Sequence, residues 1–175
     1  MSAPHIVAET ERLILRRYRL DDAPAMLAQL NEPSFHRFIG DRGVRTVDEA
    51  RAYIEARHLN SYAKNGFGMF LAQLKDGTPI GSCGLVRRDG LDDVDIGYAL
   101  RPAFWGQGYA LEAAKAVMAM AQGEFGLTRL VAITAQDNAS SCSLLEKLGF
   151  SFERLIILPG GDEEIRLYGW GKAAA

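Results

Sequence analysis

Cysteine is scarce in this sequence, and neither sign of charge is in clear excess. Cys83 and Cys142 lack the Cys-x-x-Cys spacing of a redox or zinc motif, so we expect two free thiols and a reducing compartment. Twenty Lys and Arg residues against 22 Asp and Glu residues give a formal net charge of -2. Because there is no basic excess, we expect neither nucleic-acid binding nor attraction to an anionic membrane surface.

Long apolar runs, repeats and low-complexity segments are also missing. No apolar stretch is long enough to span a bilayer, and residues 1–9 do not have the basic and apolar segments of a signal peptide. His5, His36 and His58 are too widely spaced to form a metal-ligand pattern, so we expect no metal. Hydrophobic residues make up 48% of the chain. The 175 residues therefore predict a single cytoplasmic domain, residues 1–175.

Strand and helix patterns follow one another in the order β-α-α-β-β-β-α-β-α-β-β. Thr46 and Glu49 form a capping box for the second helix, and Gly66 is predicted to end that helix as a left-handed cap. Pro33 is predicted to close the first helix. The order predicts an α+β fold with a mixed sheet. The predicted helices cover residues 21–31, 46–63, 111–125 and 139–148. The predicted strands cover residues 12–18, 67–74, 80–86, 94–100, 129–135, 150–157 and 164–170.

A glycine-containing turn separates the strand at 94–100 from the helix that follows. Residues 101–113 read RPAFWGQGYALEA, and Gly106 and Gly108 allow bare backbone to approach a ligand closely. The first turn of the helix presents unpaired N–H groups, and its dipole favours negative charge. These features predict an anion site, most naturally for a phosphate or pyrophosphate. A plain tight turn is the alternative, because a short Gly-x-Gly is weak evidence by itself.

Two other segments carry candidate functional side chains. Alternation along residues 93–100 places Tyr98 on an apolar face that we expect to be core, whereas Asp95 lies on the opposite face with small neighbours. Open volume beside an acid is one interpretation of that second face, and a solvated sheet face is the more ordinary one. Asn138 is placed to cap a helix, with Ser141 one turn further along. An ordinary capped helix with an exposed serine is the alternative there.

Three motifs together resemble the GNAT superfamily of N-acetyltransferases. They are W-G-x-G-Y-A at 105–110, N-x-x-S-x-x-L-x-E-K-x-G-F at 138–150 and E-T-E-R-L-I-L-R at 9–16. They are most similar to the branch of the Rim acetyltransferases, and the resemblance extends from about Glu9 to Tyr168. It implies a mixed, mostly antiparallel sheet flanked by helices, in which the parallel fourth and fifth strands, residues 94–100 and 129–135, splay apart. It also implies acetyl-CoA as the acetyl donor.

The resemblance further implies which residues hold acetyl-CoA. The pantetheine arm would lie between the two splayed strands, against the backbone around Tyr98 and Leu100. Asn138 matches an asparagine that hydrogen-bonds the cofactor near its pantetheine part. Trp105 stands where the wider superfamily has Gln or Arg, although the Rim branch tolerates Trp. The resemblance also implies a cofactor site in the glycine loop, where the residues from 106 onwards hold the pyrophosphate. The residues of this loop site are Trp105, Gly106, Gln107, Gly108, Tyr109 and Ala110.

Two residues are implied to take part in catalysis. Ser141 matches a serine that the Rim branch places near the thiol, and Leu145 replaces the tyrosine that protonates the thiolate in many members. We therefore expect Ser141 to stabilise or protonate the thiolate. Asp95 falls where many members have a glutamate base. An ordinary Asp titrates near ~3.9 and an α-amine near ~8, so either burial raises the pKa of Asp95 or the carboxylate only orders a water. Asp93 and the pair Glu163-Glu164 are weaker alternatives.

The amine that accepts the acetyl group is the least defined feature of the predicted reaction. By resemblance, its pocket is built from the first helix pair and the last hairpin, so Phe35 and Phe38 are substrate-binding candidates, with buried packing as the alternative. We expect direct transfer to a peptide or protein N-terminal α-amine or to a small-molecule amine, by a homodimer if the branch analogy holds. A non-catalytic acyl-CoA-binding regulatory module is the main alternative. A different nucleotide binder is disfavoured, because the glycine loop has no Lys-Ser/Thr ending and no ribose-binding acid.

Overall fold

The computed structural model describes residues 3–172, so both ends of the predicted domain, residues 1–2 and 173–175, lie outside the described residues. The strands are β1 Ile6–Glu9, β2 Leu13–Arg16, β3 Met69–Leu74, β4 Pro79–Val86, β5 Asp95–Leu100, β6 Arg129–Thr134, β7 Ser151–Ile156 and β8 Ile165–Gly171. The helices are α1 Ala23–Leu30, α2 Pro33–Phe38, α3 Val47–Tyr53, α4 Asn60–Asn65, α5 Tyr109–Gly123 and α6 Ala139–Lys147. A π-helical turn, Ile54–Leu59, joins α3 to α4, and 3-10 turns occupy Leu20–Asp22 and Pro102–Phe104.

The strands form one open sheet in the order β1-β2-β3-β4-β5-β6-β8-β7. Neighbouring strands are antiparallel, except that β5 and β6 run parallel. A helix, α5, provides the crossover that a parallel pair requires. The predicted fold class, an α+β fold with a mixed and mostly antiparallel sheet, is confirmed. The strands predicted as the fourth and fifth correspond to β5 and β6. The numbering differs by one because β1 was not predicted.

Helices cover both faces of the sheet. On one face, α5 and α6 bury a large cluster that includes Leu85, Val117 and Leu145. On the other, α1 and α3 cover a smaller cluster that includes Met26 and Leu71. A solvated position for Asp95 was the wrong interpretation, because the residue is 1% exposed.

Helix boundaries follow local capping chemistry. The predicted capping box is confirmed, since the Glu49 N–H donates to Thr46 Oγ1 at 3.1 Å and the Thr46 N–H donates to Glu49 Oε2 at 3.1 Å. Gly66 ends the same helical segment in the left-handed conformation, as predicted. Pro33, by contrast, does not simply close α1. It also opens α2, because the first turn of a helix does not need the N–H that proline lacks.

Candidate active site

The sheet opens between β5 and β6. Among residues 3–172, Asp95 and Val131 are the only Cα partners that join the two strands, and the Val131 N–H donates to the Val94 carbonyl at 2.9 Å. Each strand is paired to its outer neighbour along its whole length, β5 to β4 and β6 to β8, over six positions. The result is a wedge, which we define as the gap between residues 96–100 and residues 132–134, with Asp95 at its closed end.

The backbone of β5 presents polar groups to the wedge. The Arg101 N–H donates to the Ile80 carbonyl at 2.9 Å, so the backbone groups of Arg101 point towards β4. Residues along an antiparallel strand alternate between hydrogen-bonded and non-hydrogen-bonded pairs, so those of Tyr98 and Leu100 point the other way, into the wedge. The Leu100 carbonyl accepts a hydrogen bond from Trp105 Nε1 at 2.8 Å. The backbone groups of Tyr98 and Leu100, which the resemblance implied for contact with pantetheine, therefore face the wedge.

The glycine loop lies at the open end of the wedge and leads into α5. Gly106 and Gly108 have φ angles of +71° and +83°, a region that glycine enters without steric cost. A Cβ atom added at Gly106 would meet nothing within 4 Å, so the backbone there is open to a ligand. Gly108 caps α5, which leaves the N–H groups of Tyr109 and Ala110 without intrahelical acceptors. Open backbone and N–H groups without intrahelical acceptors suit the binding of an anion such as a phosphate group.

A polar brace, formed by Thr10, Arg12 and Glu112, holds this loop from the side of β1 and β2. Glu112 Oε2 accepts a hydrogen bond from Thr10 Oγ1 at 2.5 Å, and Glu112 Oε1 accepts one from Arg12 Nε at 2.8 Å. Arg12 Nη1 also donates to the Gln107 carbonyl at 2.8 Å, and its guanidinium lies 4.3 Å from the centre of the Tyr109 ring. Sequence reasoning missed this brace. Its only signal was that Thr10 and Arg12 belong to one of the three motifs.

Asp95 is a buried carboxyl group with one free oxygen. Its Oδ2 accepts a hydrogen bond from Arg88 Nε at 3.0 Å, whereas its Oδ1 has no hydrogen-bond partner within the described part of the chain. Burial raises the pKa of Asp95 to about 6, and the charge and hydrogen bond of Arg88 act in the opposite direction. Asp93, the alternative candidate for the base, forms a salt bridge with Arg129 at 2.9 Å. Glu163 and Glu164 are exposed in the loop before β8.

Ser141 and Tyr98 meet across the wedge. Asn138 Oδ1 accepts a hydrogen bond from the Ser141 N–H at 3.2 Å, so the predicted cap of α6 is confirmed. The alternative interpretation, an exposed serine, was wrong, because Ser141 is only 9% exposed. Its Oγ lies 2.6 Å from the Tyr98 hydroxyl. Sequence reasoning assigned Tyr98 to the core face and did not foresee that its hydroxyl reaches α6. Leu145, one turn further along α6, is fully buried.

Helix α2 lies across the open end of the wedge. Glu32, just before α2, pairs with Arg101, which follows β5, at 3.2 Å. Arg37, within α2, pairs with Asp137, which follows β6, at 3.4 Å. Both sides of the wedge are therefore tied to the same short helix. It carries the two predicted substrate-binding residues, both half-buried: Phe35 packs against the smaller core cluster, and the Phe38 ring lies 4.7 Å from the Arg37 guanidinium.

In the part of the chain that the structure describes, no three His, Cys, Asp or Glu side chains cluster as metal ligands would. None of the helices within residues 3–172 has the length and apolar character needed to cross a bilayer.

The acetyltransferase (GNAT) domain family matches residues 12–151. The chain belongs to the GNAT family of N-acetyltransferases. One relative of this GNAT protein is the uncharacterized N-acetyltransferase YoaA of Bacillus subtilis (strain 168), 28% identical over 86% of this chain and 85% of the relative. The acetyltransferase from Agrobacterium tumefaciens strain C58 has a TM-score of 0.80 and 25% identity, covering 98% of this chain and 96% of that one.

A third similar protein is a RimL ribosomal-protein α-N-acetyltransferase, solved in complex with coenzyme A. It has a TM-score of 0.83 and 19% identity, covering 95% of this GNAT chain and 98% of its own. At this identity the likeness concerns the fold. The predicted family is confirmed by the family match.

Proposed function

We propose that this protein binds acetyl-CoA and transfers its acetyl group directly to a primary amine. The acceptor is a peptide or protein N-terminal α-amine or a small-molecule amine. The observation that carries the proposal is the wedge between β5 and β6, which opens beside Asp95 and has the glycine loop at its open end. The coenzyme A complex of the RimL structure, which shares this fold, supports the same donor.

The residues of the wedge fit coenzyme A chemically. The backbone groups of Tyr98 and Leu100 would pair with the amides of the pantetheine arm, in place of the strand partner that they lack there. The N–H groups of residues 106–110 would hold the pyrophosphate, since they combine bare backbone with the start of a helix. Asn138 uses its Oδ1 to cap α6, and its Nδ2 group can donate to the pantetheine. Trp105, 50% exposed, would cover the outer side of the arm.

Asp95 is proposed as the general base. Its Oδ1 is free to accept a proton from the amine, directly or through one water. Because the pKa of Asp95 is raised to about 6, the gap to an α-amine narrows from about four pH units to about two. The uphill proton transfer then falls from roughly 5 kcal/mol to roughly 3 kcal/mol. Since the carboxyl group is 1% exposed, transfer through a water suits the geometry better than direct contact.

Ser141 is proposed to stabilise the departing thiolate. The amine nitrogen bonds to the carbonyl carbon, the carbon–sulfur bond breaks, and sulfur leaves with the electron pair. A hydroxyl group beside that sulfur can donate a hydrogen bond to the developing charge. Holding the amine and the thioester together in one cleft supplies much of the remaining acceleration.

The acceptor would enter at α2. This helix lies against both sides of the open end, so Phe35 and Phe38 are proposed to contact the acceptor. Acidic loops at residues 89–93 and 162–164 would attract a cationic amine. An N-terminal α-amine is the favoured class, because the RimL protein that shares the fold is an α-N-protein acetyltransferase.

Thiol release tests the proposal. The protein is mixed with saturating acetyl-CoA and with a panel of peptides with free N-termini, N-terminally blocked controls and small amines, and released coenzyme A is titrated with a thiol reagent. We expect release with at least one free amine and a gain of one acetyl group in its mass. Tight coenzyme A binding without release for any amine would instead favour an acyl-CoA-binding regulatory module. Calorimetric preference for ATP or NAD over coenzyme A would contradict both.

A further inference from the structure

The contact between Tyr98 and Ser141 joins two elements across the catalytic cleft. Tyr98 extends from β5 and Ser141 from the first turn of α6, and their hydroxyl oxygens are 2.6 Å apart. The Tyr98 hydroxyl also lies 3.3 Å from the Ser141 carbonyl. The first distance is within the normal range for an O–H···O bond and the second is beyond it. The short contact is therefore the one between the two hydroxyl oxygens, and either of them can be its donor.

The direction of this bond decides what Ser141 can do. A hydroxyl group has one proton and two lone pairs. If Ser141 donated to Tyr98, no proton would remain for a ligand. If Tyr98 donates, the proton of Ser141 is free to point elsewhere. Burial raises the pKa of Tyr98, which the hydrogen bond with Ser141 only partly offsets, so the phenol keeps the proton that it donates.

No donor from the next turn of α6 can replace this pair. Leu145 faces the same interior and is fully buried, with an aliphatic side chain. Cys142 is only half-buried and points towards Tyr168, whose pKa its thiol helps to raise. The hydroxyl pair is thus the arrangement through which β5 and α6 can direct a proton into the wedge.

We propose that Tyr98 is a positioning residue, which donates to Ser141 Oγ and so aims the Ser141 proton at the sulfur that leaves acetyl-CoA. This inference rests on the proposed function. As the carbon–nitrogen bond forms, the amine proton passes to Asp95 or its water. As the carbon–sulfur bond breaks, sulfur carries the electron pair and is hydrogen-bonded by Ser141. Tyr98 and Ser141 keep their own protons, and the thiolate takes its proton from solvent after release.

A double-mutant cycle tests the inference. Tyr98→Phe removes one hydroxyl, so kcat should fall about tenfold, the upper end for one neutral hydrogen bond, while KM for acetyl-CoA stays within about twofold. Ser141→Ala should also lower kcat with near-normal coenzyme A affinity. Because Tyr98 acts through Ser141, the double variant should be no slower than Ser141→Ala alone. Two independent effects would instead multiply.

Tyr62→Phe is the matched control. The Tyr62 phenol is also buried, donates to the Met69 carbonyl and accepts from the Tyr18 N–H, but it lies outside the wedge. Its loss should lower Tm and leave kcat unchanged. A second readout replaces Tyr98 with a fluorinated tyrosine, which has the same ring and hydroxyl but ionises at lower pH. For that protein kcat should fall at high pH, where the phenolate can no longer donate, while the unmodified enzyme does not.

The outcomes separate the two proposals. If the wild-type protein turns over and Tyr98→Phe has the wild-type kcat, this inference alone is overturned. Multiplicative losses in the double variant would do the same. A wild-type protein that releases no thiol with any amine would overturn the proposed function and this inference with it.

Discussion

At the scale of single residues, Asp95 shows how much position changes a common side chain. It stands at the closed end of the wedge, buried, with Arg88 on one oxygen and the other oxygen free. Alternation in the sequence placed it correctly opposite Tyr98. The alternation could not reveal that Asp95 is buried. Nor could it reveal the hydrogen-bond partner, because Arg88 lies in the loop after β4.

The pH profile of Asp95→Asn tests its role as base. Below about pH 6 both the amine substrate and Asp95 carry a proton that must be lost before the wild-type enzyme can react. As the pH is lowered in this range, log(kcat/KM) should therefore fall with a slope of about two. The variant has no carboxyl group at this position, so its slope should be about one. Rates are measured from pH 5 to 9 at saturating acetyl-CoA. Asp93→Asn, which breaks a pair with Arg129, is the control and should keep the wild-type profile. Identical profiles for Asp95→Asn and wild type would exclude Asp95 as the base.

Gly106 and Gly43 form a natural pair for testing the anion site. Both have φ angles of +71°, and a Cβ at either would meet nothing within 4 Å. Phenylalanine at each position should therefore lose a similar amount of stability, about 1–2 kcal/mol for a left-handed residue. Gly106→Phe alone should block the approach of the pyrophosphate and weaken coenzyme A binding by about tenfold or more, as loss of charge-assisted hydrogen bonds does. Calorimetry gives the affinities and thermal unfolding gives the stabilities. Equal affinities for the two variants would remove the glycine loop from the site.

At the scale of elements, the start of α5 is held by the brace of Thr10, Arg12 and Glu112. Burial alone would raise the pKa of Glu112, but hydrogen bonds from Thr10 and Arg12 outweigh it and lower that pKa below the ordinary 4.5. A carboxyl group whose pKa is lowered by folding adds stability above its ordinary pKa, and this stability is lost as the pH falls through the lowered value. The brace should therefore be strong at neutral pH and weak in acid.

Glu112→Gln tests the brace. At pH 7 it should lower Tm by about 2–4 °C, the size expected for one lost charged contact in a chain of this length. The difference from wild type should shrink as the pH falls below 4.5, the ordinary pKa of the group. Glu124→Gln, an exposed substitution just after the same helix, should show neither effect. A constant difference at all pH values would mean that Glu112 acts through packing rather than charge.

Local sequence chemistry predicted most elements, and the exceptions have physical reasons. The capping box at Thr46 and the left-handed Gly66 are short-range signals, and both predictions were confirmed. Strand β1 was missed because its four residues carry little pattern of their own and depend on pairing with β2. Helix α2 was missed because proline both ends and begins helices. The π-helical turn at residues 54–59 leaves no mark in a helical pattern.

At the scale of the whole molecule, the sheet consists of two antiparallel ladders that meet at one point. The ladder from β1 to β5 and the ladder from β6 to β8 touch at Asp95 and Val131 among the described residues, while α5 covers one face and α2 the open end. Three short motifs predicted this arrangement by resemblance, and the family match confirms the family. The identity of the acceptor could not be predicted, because the surfaces that would recognise it, α2 and the β7–β8 loop, carry no such motif.

The most direct test of the account is a crystal structure of the protein with coenzyme A. We expect the pantetheine arm between β5 and β6, hydrogen-bonded to the backbone of Tyr98 and Leu100, with the pyrophosphate against residues 106–110 and the sulfur beside Ser141. Coenzyme A bound elsewhere, or a wedge closed by further β5–β6 hydrogen bonds, would contradict it.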